Sequence, residues 1–321
     1  ALYLSFKALG IKENDLVIMP SYSFIATATA AIHAGGSPWF VDIEKNYLTL
    51  DLNQVAKILQ KNTFKKGKYY FHKKTKQRLF AICPVYTLGF LPDLIKIKKI
   101  AEKFNLKIIA DAACALGAKF KKNELAKYND AVCYSFNGNK SFTAGGGGAI
   151  SLNNKKIKDK LFLYSTNGKV GDYLHKYIGH NFRITGLHAA LGLGQLSNFS
   201  KIKKRRKKIQ KQYISFFQKN SLKTFYAKKD TDIIQWFNFF VCKNPKEKEK
   251  IIKKMNKFRI NLKNFWRPLH LQPCLKDYLK TDLINTSQVW NKILVLPSSN
   301  NIKLKDLKFI KKKTFILNLS Q

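Results

Sequence analysis

The chain has 321 residues, of which 45% are hydrophobic and 13% aromatic. This composition excludes wholesale disorder, and the length suits one large domain with a smaller one. Lys and Arg number 60 against 19 Asp and Glu, which gives a formal net charge of +41 and favours anionic partners. Because the lysines are spread over every segment, a bias in composition explains the charge better than a nucleic-acid role does.

Membrane, secretory, disulfide and metal-binding classes are not indicated. No apolar run approaches the length needed to span a bilayer. The opening residues ALYLSFKALGIKEND lack a charged leader and a cleavage site, so we expect a cytoplasmic protein. The five cysteines show no CxxC spacing and the six histidines no HExxH spacing. Neither a disulfide framework nor a metal site is therefore expected.

Short apolar runs alternate with helical patterns through the first two-thirds of the chain. The runs that predict strands are DLVIMP, SPWFVDI, RLFAICPVY, LKIIADAA, DAVCYSF and GAISL. The segments that predict helices are SFIATATAAIHAG, LDLNQVAKILQKN and LPDLIKIKKIAEKFN, and Asp51 is a plausible N-cap of the second. This alternation predicts a mostly parallel α/β sheet with helices on both faces.

The pattern changes after residue 200. A long basic helix that contains KIKKRRKKIQKQ leads into the strand-like run IIQWFNFFVCKN and the helical segment NPKEKEKIIKKMNKFRINL. The basic run is interpreted as a solvated helix face, with a nucleic-acid patch as the alternative. We therefore predict a large domain over residues 1–198 and a small C-terminal α/β domain over residues 199–321.

One lysine and one aspartate stand out in the large domain. Lys140 follows a strand-like run in the segment YSFNGNKSFTAGGGGAI, and Asp111 ends the strand-like run LKIIADAA. A lysine on a rigid turn can bond covalently to a carbonyl cofactor, and a carboxylate can hold a protonated pyridine nitrogen. The pair predicts a site for pyridoxal 5'-phosphate (PLP). The four glycines Gly145 to Gly148 lack the spacing of a nucleotide fingerprint, so we interpret them as letting backbone pass close to the Lys140 turn.

These segments resemble the DegT/DnrJ/EryC1/StrS family of PLP-dependent nucleotide-sugar aminotransferases over nearly the whole chain. The motifs that carry the resemblance are, in order, PSYSFIATATAAIHAGGSPWFVDI, IADAACALGAKF, SFNGNK, GHNFRITGLHAALGLGQL, WRPLHLQP and LPSSNNI. The family implies the aspartate-aminotransferase-like fold, called fold type I. It also implies an active homodimer, because the fourth motif resembles the segment that reaches into the partner subunit's site.

The resemblance also implies roles for individual residues. Lys140 would bind PLP covalently and serve as general base and acid, and Asp111 would hold the pyridine nitrogen. The other implied cofactor contacts are Phe24 stacking on the ring, Ser135 at the phosphate, Asn181 at the partner's phosphate and Cys114 near the ring oxygen. Many relatives carry a polar Gln, His or Glu where this chain has Cys114. Arg183 and His270 are implied as substrate-binding residues.

The implied reaction transfers an amino group, from glutamate, to a nucleotide-linked keto-deoxysugar in glycan or polysaccharide biosynthesis. The motifs SFNGNK and WRPLHLQP most resemble those of enzymes that aminate the 4-keto position of UDP-N-acetylated sugars. The dehydratase branch of the family has histidine in place of Lys140, which speaks against that branch.

The alternative is a catalytically impaired family member with a regulatory or anionic-partner-binding role. This alternative depends on the segment ALYLSFKALG, which matches the family just after its Ser-Gly-Thr phosphate-binding turn. We therefore expect a chain truncated at its N-terminus that binds PLP weakly.

Overall fold

The computed structural model describes residues 1–262 and 264–319, with side chains to residue 314. The helices are α1 (Leu2–Leu9), α2 (Ala26–His33), α3 (Leu52–Asn62), α4 (Leu94–Phe104), α5 (Lys155–Ser165), α6 (Gly186–Ser197), α7 (Phe199–Lys219), α8 (Pro245–Lys257), α9 (Ile284–Val289) and α10 (Leu304–Leu319). The strands are β1 (Leu16–Pro20), β2 (Ser37–Val41), β3 (Thr63–Lys66), β4 (Tyr69–His72), β5 (Leu79–Ile82), β6 (Lys107–Asp111), β7 (Lys119–Phe120), β8 (Asn123–Glu124), β9 (Ala131–Ser135), β10 (Gly148–Ser151), β11 (Thr231–Asp232), β12 (Asn238–Val241), β13 (Leu279–Lys280) and β14 (Ile293–Leu296).

A seven-stranded sheet forms the centre of the molecule in the order β10-β9-β6-β5-β1-β2-β13. Strands β9, β6, β5, β1, β2 and β13 run parallel, and β10 pairs antiparallel with β9. Each of the six apolar runs that predict strands contains one strand of this sheet. The parallel direction places the carboxyl ends of β1, β5, β6 and β9 on one edge.

Helices α3 and α4 show why the periodic segments fold as they do. Asp51 and Asp93 cap them, each accepting two backbone N–H groups at the first turn. An aspartate at this position satisfies donors that have no partner inside the helix. The apolar face of α4 packs into the main core cluster through Leu94, Ile97 and Ile100. The caps and the periodicity therefore place both helices where the sequence predicts them.

The C-terminal residues build a second core beside the large sheet. Strands β12 and β14 pair antiparallel, and α7, α8 and α10 contribute side chains to one cluster with them. Residues 269–280 return to the large sheet, because β13 pairs with β2 and Leu269 packs in the second cluster of that sheet. The division between residues 198 and 199 stays a prediction, and it coincides with the junction of α6 and α7.

Two helices, α6 and α7, differ in burial from what their sequences suggest: a basic helix should be solvated and an apolar helix buried. Arg206, in the middle of the basic run, is buried rather than solvated. Helix α6, by contrast, has no buried side chain within the part of the chain that the structure describes.

Among the described residues, no helix is both long enough and apolar enough to cross a membrane.

Candidate active site

A cavity of about 1190 Å³ opens at the edge of the sheet where the parallel strands end. Its lining includes Ser23, Val85, Asp111 and Ser135, which end or closely follow β1, β5, β6 and β9. Ligands of open α/β sheets bind outside the carboxyl ends of the strands. This position and this volume make the cavity the candidate active site.

Asp111 lies at the end of β6 with 7% of its surface exposed. Its Oδ2 accepts a hydrogen bond from the Thr27 hydroxyl at 2.6 Å, and its Oδ1 accepts one from the backbone N–H of Ala113 at 3.1 Å. The Thr27 hydroxyl also lies 2.7 Å from that of Ser23. Donors on both oxygens fix the direction of the carboxylate. Asp111 can therefore offer a fixed negative charge to a ligand with a protonated nitrogen.

Lys140 lies on the turn that follows β9, where its backbone N–H bonds to the Asn137 carbonyl at 3.0 Å. Its Nζ lies 3.6 Å from the Cys114 sulfur and 4.0 Å from the centre of the Trp236 ring. Burial raises the pKa of the Cys114 thiol to about 12, although Lys140 acts in the opposite direction. The thiol is thus neutral at physiological pH. The amine of Lys140 is held between this neutral thiol and an aromatic face.

The glycine run after Lys140 brings two backbone segments into close contact. Gly148 pairs with Ser135 across β9 and β10, and a Cβ atom at Gly148 would lie 2.3 Å from the Tyr134 carbonyl oxygen. Gly145 has a φ of +77°, a left-handed value that favours glycine. The run therefore allows the chain to return along β9 directly beside the lysine turn.

Phe24 and Ser135 face the same cavity from two strand ends. The Phe24 side chain is 55% exposed, and its ring centre lies 6.2 Å from that of Trp266. An exposed aromatic ring in a cavity is available to stack on a flat ligand. Within residues 1–262 and 264–314, the Ser135 hydroxyl accepts one long hydrogen bond, 3.4 Å from the Asn137 backbone N–H, and donates none. Its own proton is therefore available to a ligand.

Charge is unevenly distributed around the cavity. Among its lining residues in the described chain, Asp111 is the one acid, whereas Lys140, Lys158 and Arg183 are cationic. The Arg183 guanidinium lies over the Phe162 ring at 5.7 Å. Outside the immediate surroundings of Asp111, the lining therefore favours an anionic ligand.

Two of the predicted site residues do not line the cavity of their own chain. Asn181 is exposed and forms a bridge with Thr166 next to the end of α5. His270 lies 2.6 Å from the Ser21 hydroxyl through its Nδ1. The geometry therefore brings together Lys140 and Asp111 with the other predicted cavity residues, Phe24, Ser135, Cys114 and Arg183, and it leaves the roles of Asn181 and His270 as predictions.

Sequence reasoning missed two residues that shape the cavity. Thr27 lies in the quoted segment SFIATATA, where nothing distinguished it from other small helix residues. Trp236 lies in the run IIQWFNFFVCKN, which reads as an ordinary strand core. Its contact with Lys140 joins residues almost a hundred positions apart, and no local pattern indicates such a contact.

The lining residues fit PLP. Asp111 suits a protonated ring nitrogen, the exposed Phe24 ring suits the ring face, and the amine of Lys140 suits the carbonyl carbon. The hydroxyl of Ser135, with the turn after it, suits a phosphate.

The comparisons with known proteins agree with this geometry. The family model of the DegT/DnrJ/EryC1/StrS aminotransferase family matches residues 1–314. GDP-perosamine synthase of Escherichia coli O157:H7 is 30% identical over 306 residues, which span 94% of this chain and 79% of that protein. A UDP-4-amino-4,6-dideoxy-N-acetyl-beta-L-altrosamine transaminase of Campylobacter jejuni (strain 81-176) is 29% identical over 98% of this chain and 82% of its own length.

Solved structures share the fold. A DegT DnrJ EryC1 StrS aminotransferase from Brucella abortus superposes with a TM-score of 0.89 at 24% identity, covering 98% of this chain and 82% of that one. NtdA from Bacillus subtilis, solved with its cofactor PMP, has a TM-score of 0.86 at 25% identity and covers 99% and 71%. The predicted fold class and the predicted PLP cofactor of the family are confirmed. The chain belongs to the DegT/DnrJ/EryC1/StrS aminotransferase family.

Proposed function

We propose that the protein is a PLP-dependent aminotransferase that transfers an amino group, with glutamate as the donor, to the keto carbon of a nucleotide-linked deoxysugar. The observation that carries this proposal is the placement of Lys140 and Asp111 in one cavity at the carboxyl edge of the sheet. An amine and a carboxylate so placed match the two ends of one flat cofactor. The proposed product would serve glycan or polysaccharide synthesis, in the cytoplasm.

The chain's own residues would divide the work of the reaction. PLP supplies an electron sink that stabilises negative charge on the carbon next to the transferred nitrogen. Lys140 would hold PLP covalently and, when released, move protons at its Nζ atom. Asp111 would keep the ring nitrogen protonated, because its carboxylate already has a fixed direction. Phe24 and Ser135 would orient the ring and the phosphate.

The sugar nucleotide is proposed from the relatives and the charge at the cavity. Of the two relatives named above, one is a GDP-perosamine synthase and the other is a transaminase of a UDP-linked, N-acetylated amino-dideoxysugar. In this chain Arg183 and Lys158 line the cavity, and a cationic lining suits a diphosphate. The acceptor that we propose is a 4-keto sugar linked to UDP and carrying an N-acetyl group.

Assembly into a homodimer is part of the proposal. Ile178 is 97% exposed, Leu187 81% and Leu193 68%, all within or close to α6. Apolar side chains exposed together mark an interaction surface. Asn181 lies in the same stretch of chain. If a second copy covers this surface, the Asn181 side-chain amide of one copy would therefore lie next to the other copy. The partner's Asn181 would then complete the phosphate site.

The proposal is tested by incubating the PLP-loaded protein with glutamate and a panel of UDP- and GDP-linked 4-keto-6-deoxysugars. Formation of 2-oxoglutarate together with an amino sugar nucleotide of the expected mass supports the function. A panel without any amino sugar product, from protein whose Lys140 carries PLP, would contradict the proposed substrate class. Failure of Lys140 to acquire PLP would contradict the proposed function as a whole.

A further inference from the structure

Trp236 contacts the lysine turn at two points. Its ring centre lies 4.0 Å from Nζ of Lys140, a distance at which an ammonium group is attracted to the face of an indole. Its indole Nε1–H donates to the carbonyl oxygen of Asn139 at 2.8 Å. One side chain therefore holds both the end of the Lys140 side chain and the backbone just before it.

The position of Trp236 is itself fixed by buried groups. Its backbone N–H donates to the Leu88 carbonyl at 2.9 Å. The guanidinium of Arg206, on α7, donates to the carbonyl oxygens of Gln235, at 3.2 Å, and of Trp236. Burial lowers the pKa of Arg206 to about 10, which leaves the group charged at neutral pH. Hydrogen bonds from a buried charge to carbonyl groups are strong and directional, so they hold residues 235 and 236 in place.

A second path leads from Arg206 to the lysine turn. Arg206 Nη1 donates to the Asn300 side-chain oxygen at 3.1 Å. The Asn300 amide in turn donates to the carbonyl of Ser141 at 3.4 Å, directly after Lys140. The backbone on both sides of Lys140 is thus connected to one buried arginine from the C-terminal part of the chain.

We propose that Trp236 is a positioning residue for Lys140, and that Arg206 and Asn300 fix it from the C-terminal part of the chain. The proposal rests on the proposed role of Lys140 as the residue that binds PLP. Trp236 directs the amine into the cavity, and Arg206 holds the backbone of Gln235 and Trp236 from which the indole extends. The C-terminal part of the chain therefore acts on the lysine through the Trp236 ring, whereas Arg206 and Asn300 act through the backbone groups that they hold.

The test compares Trp236→Leu with Trp236→Phe, which keeps an aromatic face but loses the donor to Asn139. The first readout is the rate at which PLP attaches to Lys140 of cofactor-free protein, trapped with borohydride. The second is the labelling rate of Lys140 by a small amine-reactive reagent, with Lys156 as the internal reference, both read by peptide mass spectrometry. For Trp236→Leu we expect PLP attachment to be about tenfold slower, because the amine is no longer directed into the cavity. We expect labelling to be faster, because the indole face no longer covers the amine. Trp236→Phe should lie between Trp236→Leu and the unchanged protein.

Arg206→Met removes the guanidinium that donates to the carbonyl oxygens of Gln235 and Trp236. Lys204→Met, a change at an exposed position of the same helix, is its matched control. Arg206→Met should slow PLP attachment severalfold, whereas Lys204→Met should not. If Arg206→Met does not fold, the Trp236 pair still decides the matter. PLP attachment within twofold of the unchanged protein in folded Trp236→Leu would overturn the proposal. No sugar is used, so a wrong substrate class does not affect the result.

Discussion

The candidate active site has two walls of different character. The wall of strand ends carries Asp111, whose two carboxylate oxygens both accept hydrogen bonds from neighbouring groups. A second wall includes Phe182 and Arg183, and it belongs to a stretch whose apolar side chains are largely exposed. Helix α6, which follows, has no buried side chain among the described residues. The first wall is held by hydrogen bonds within one chain, whereas the second lies next to apolar side chains that the single chain leaves exposed.

The difference concerns where each wall obtains its stability. The strand-end wall is part of the main core, so folding of the single chain fixes its geometry. The exposed wall contributes little to the free energy of folding, because its apolar side chains stay in contact with water. Removing that apolar surface from water would be favourable, and this requires a second surface that covers it. Changes in the first wall should therefore act on the chemistry directly, whereas changes in the second should act through assembly.

The largest effect is expected for Lys140→Ala, in the strand-end wall. Removing the amine should abolish covalent attachment of PLP and lower amino transfer by about a thousandfold or more, because in our proposal one group both holds the cofactor and moves the protons. The melting temperature should change little, since Lys140 is on a turn. The matched control is Lys156→Ala, an exposed lysine of α5. A borohydride-fixed adduct retained by Lys140→Ala would refute the assignment.

Asp111→Asn should have the next largest effect. The amide keeps the size of the side chain but removes the negative charge that we propose faces the ring nitrogen. A hydrogen bond to a charged group contributes about 1.5–3 kcal/mol, so kcat should fall about ten- to a hundredfold. Covalent attachment to Lys140 should persist, as borohydride trapping and peptide mapping would reveal. An unchanged kcat in Asp111→Asn would show that the charge of Asp111 does not contribute to the reaction.

The strand-end wall was largely predictable from sequence, for a physical reason. Asp111 and Ser135 each follow a continuous apolar run, and such runs fold as buried parallel strands whose carboxyl ends meet at one edge. A strand that is buried within its own chain can therefore be recognised from a local signature, a short, continuous run of apolar residues. The contact between Trp236 and Lys140 has no such signature, because it depends on how the C-terminal part packs on the large sheet.

Assembly is tested by Leu187→Glu in helix α6, which follows the exposed wall. Leu187 is 81% exposed, so the charge should cost the isolated chain nothing, whereas burial of an unpaired carboxylate would disfavour a dimer strongly. Light scattering should show a shift towards monomer, and activity should fall about tenfold at low protein concentration. The control is Leu304→Glu on α10, where the leucine is also exposed, at 49%. A fully active monomer of either protein would contradict the role of the partner's Asn181.

The exposed wall and the short strands could not be predicted in the same way. The sequence LHAALGLGQL is apolar almost throughout, so it predicts a helix without indicating whether its own chain or a second copy covers it. Strand β13 has two residues, Leu279 and Lys280, and its pairing with β2 joins distant segments. A pattern of two residues carries too little periodicity to stand out from a loop.

The smallest effect is expected for His270, which lies outside the cavity against Ser21. Burial lowers the pKa of His270, Lys280 acts in the same direction, and Asp42 opposes them. The folded state therefore prefers the neutral imidazole, while the unfolded chain takes up a proton near pH 6.5. Because the unfolded state binds more protons below that pH, stability should fall as the pH drops from about 6.5 towards 5. His270→Asn should lose this part of the pH dependence, by a few degrees in melting temperature at most, whereas His175→Asn, a change of an exposed histidine, should keep it. An identical slope in His270→Asn and the unchanged protein would show that His270 is not responsible.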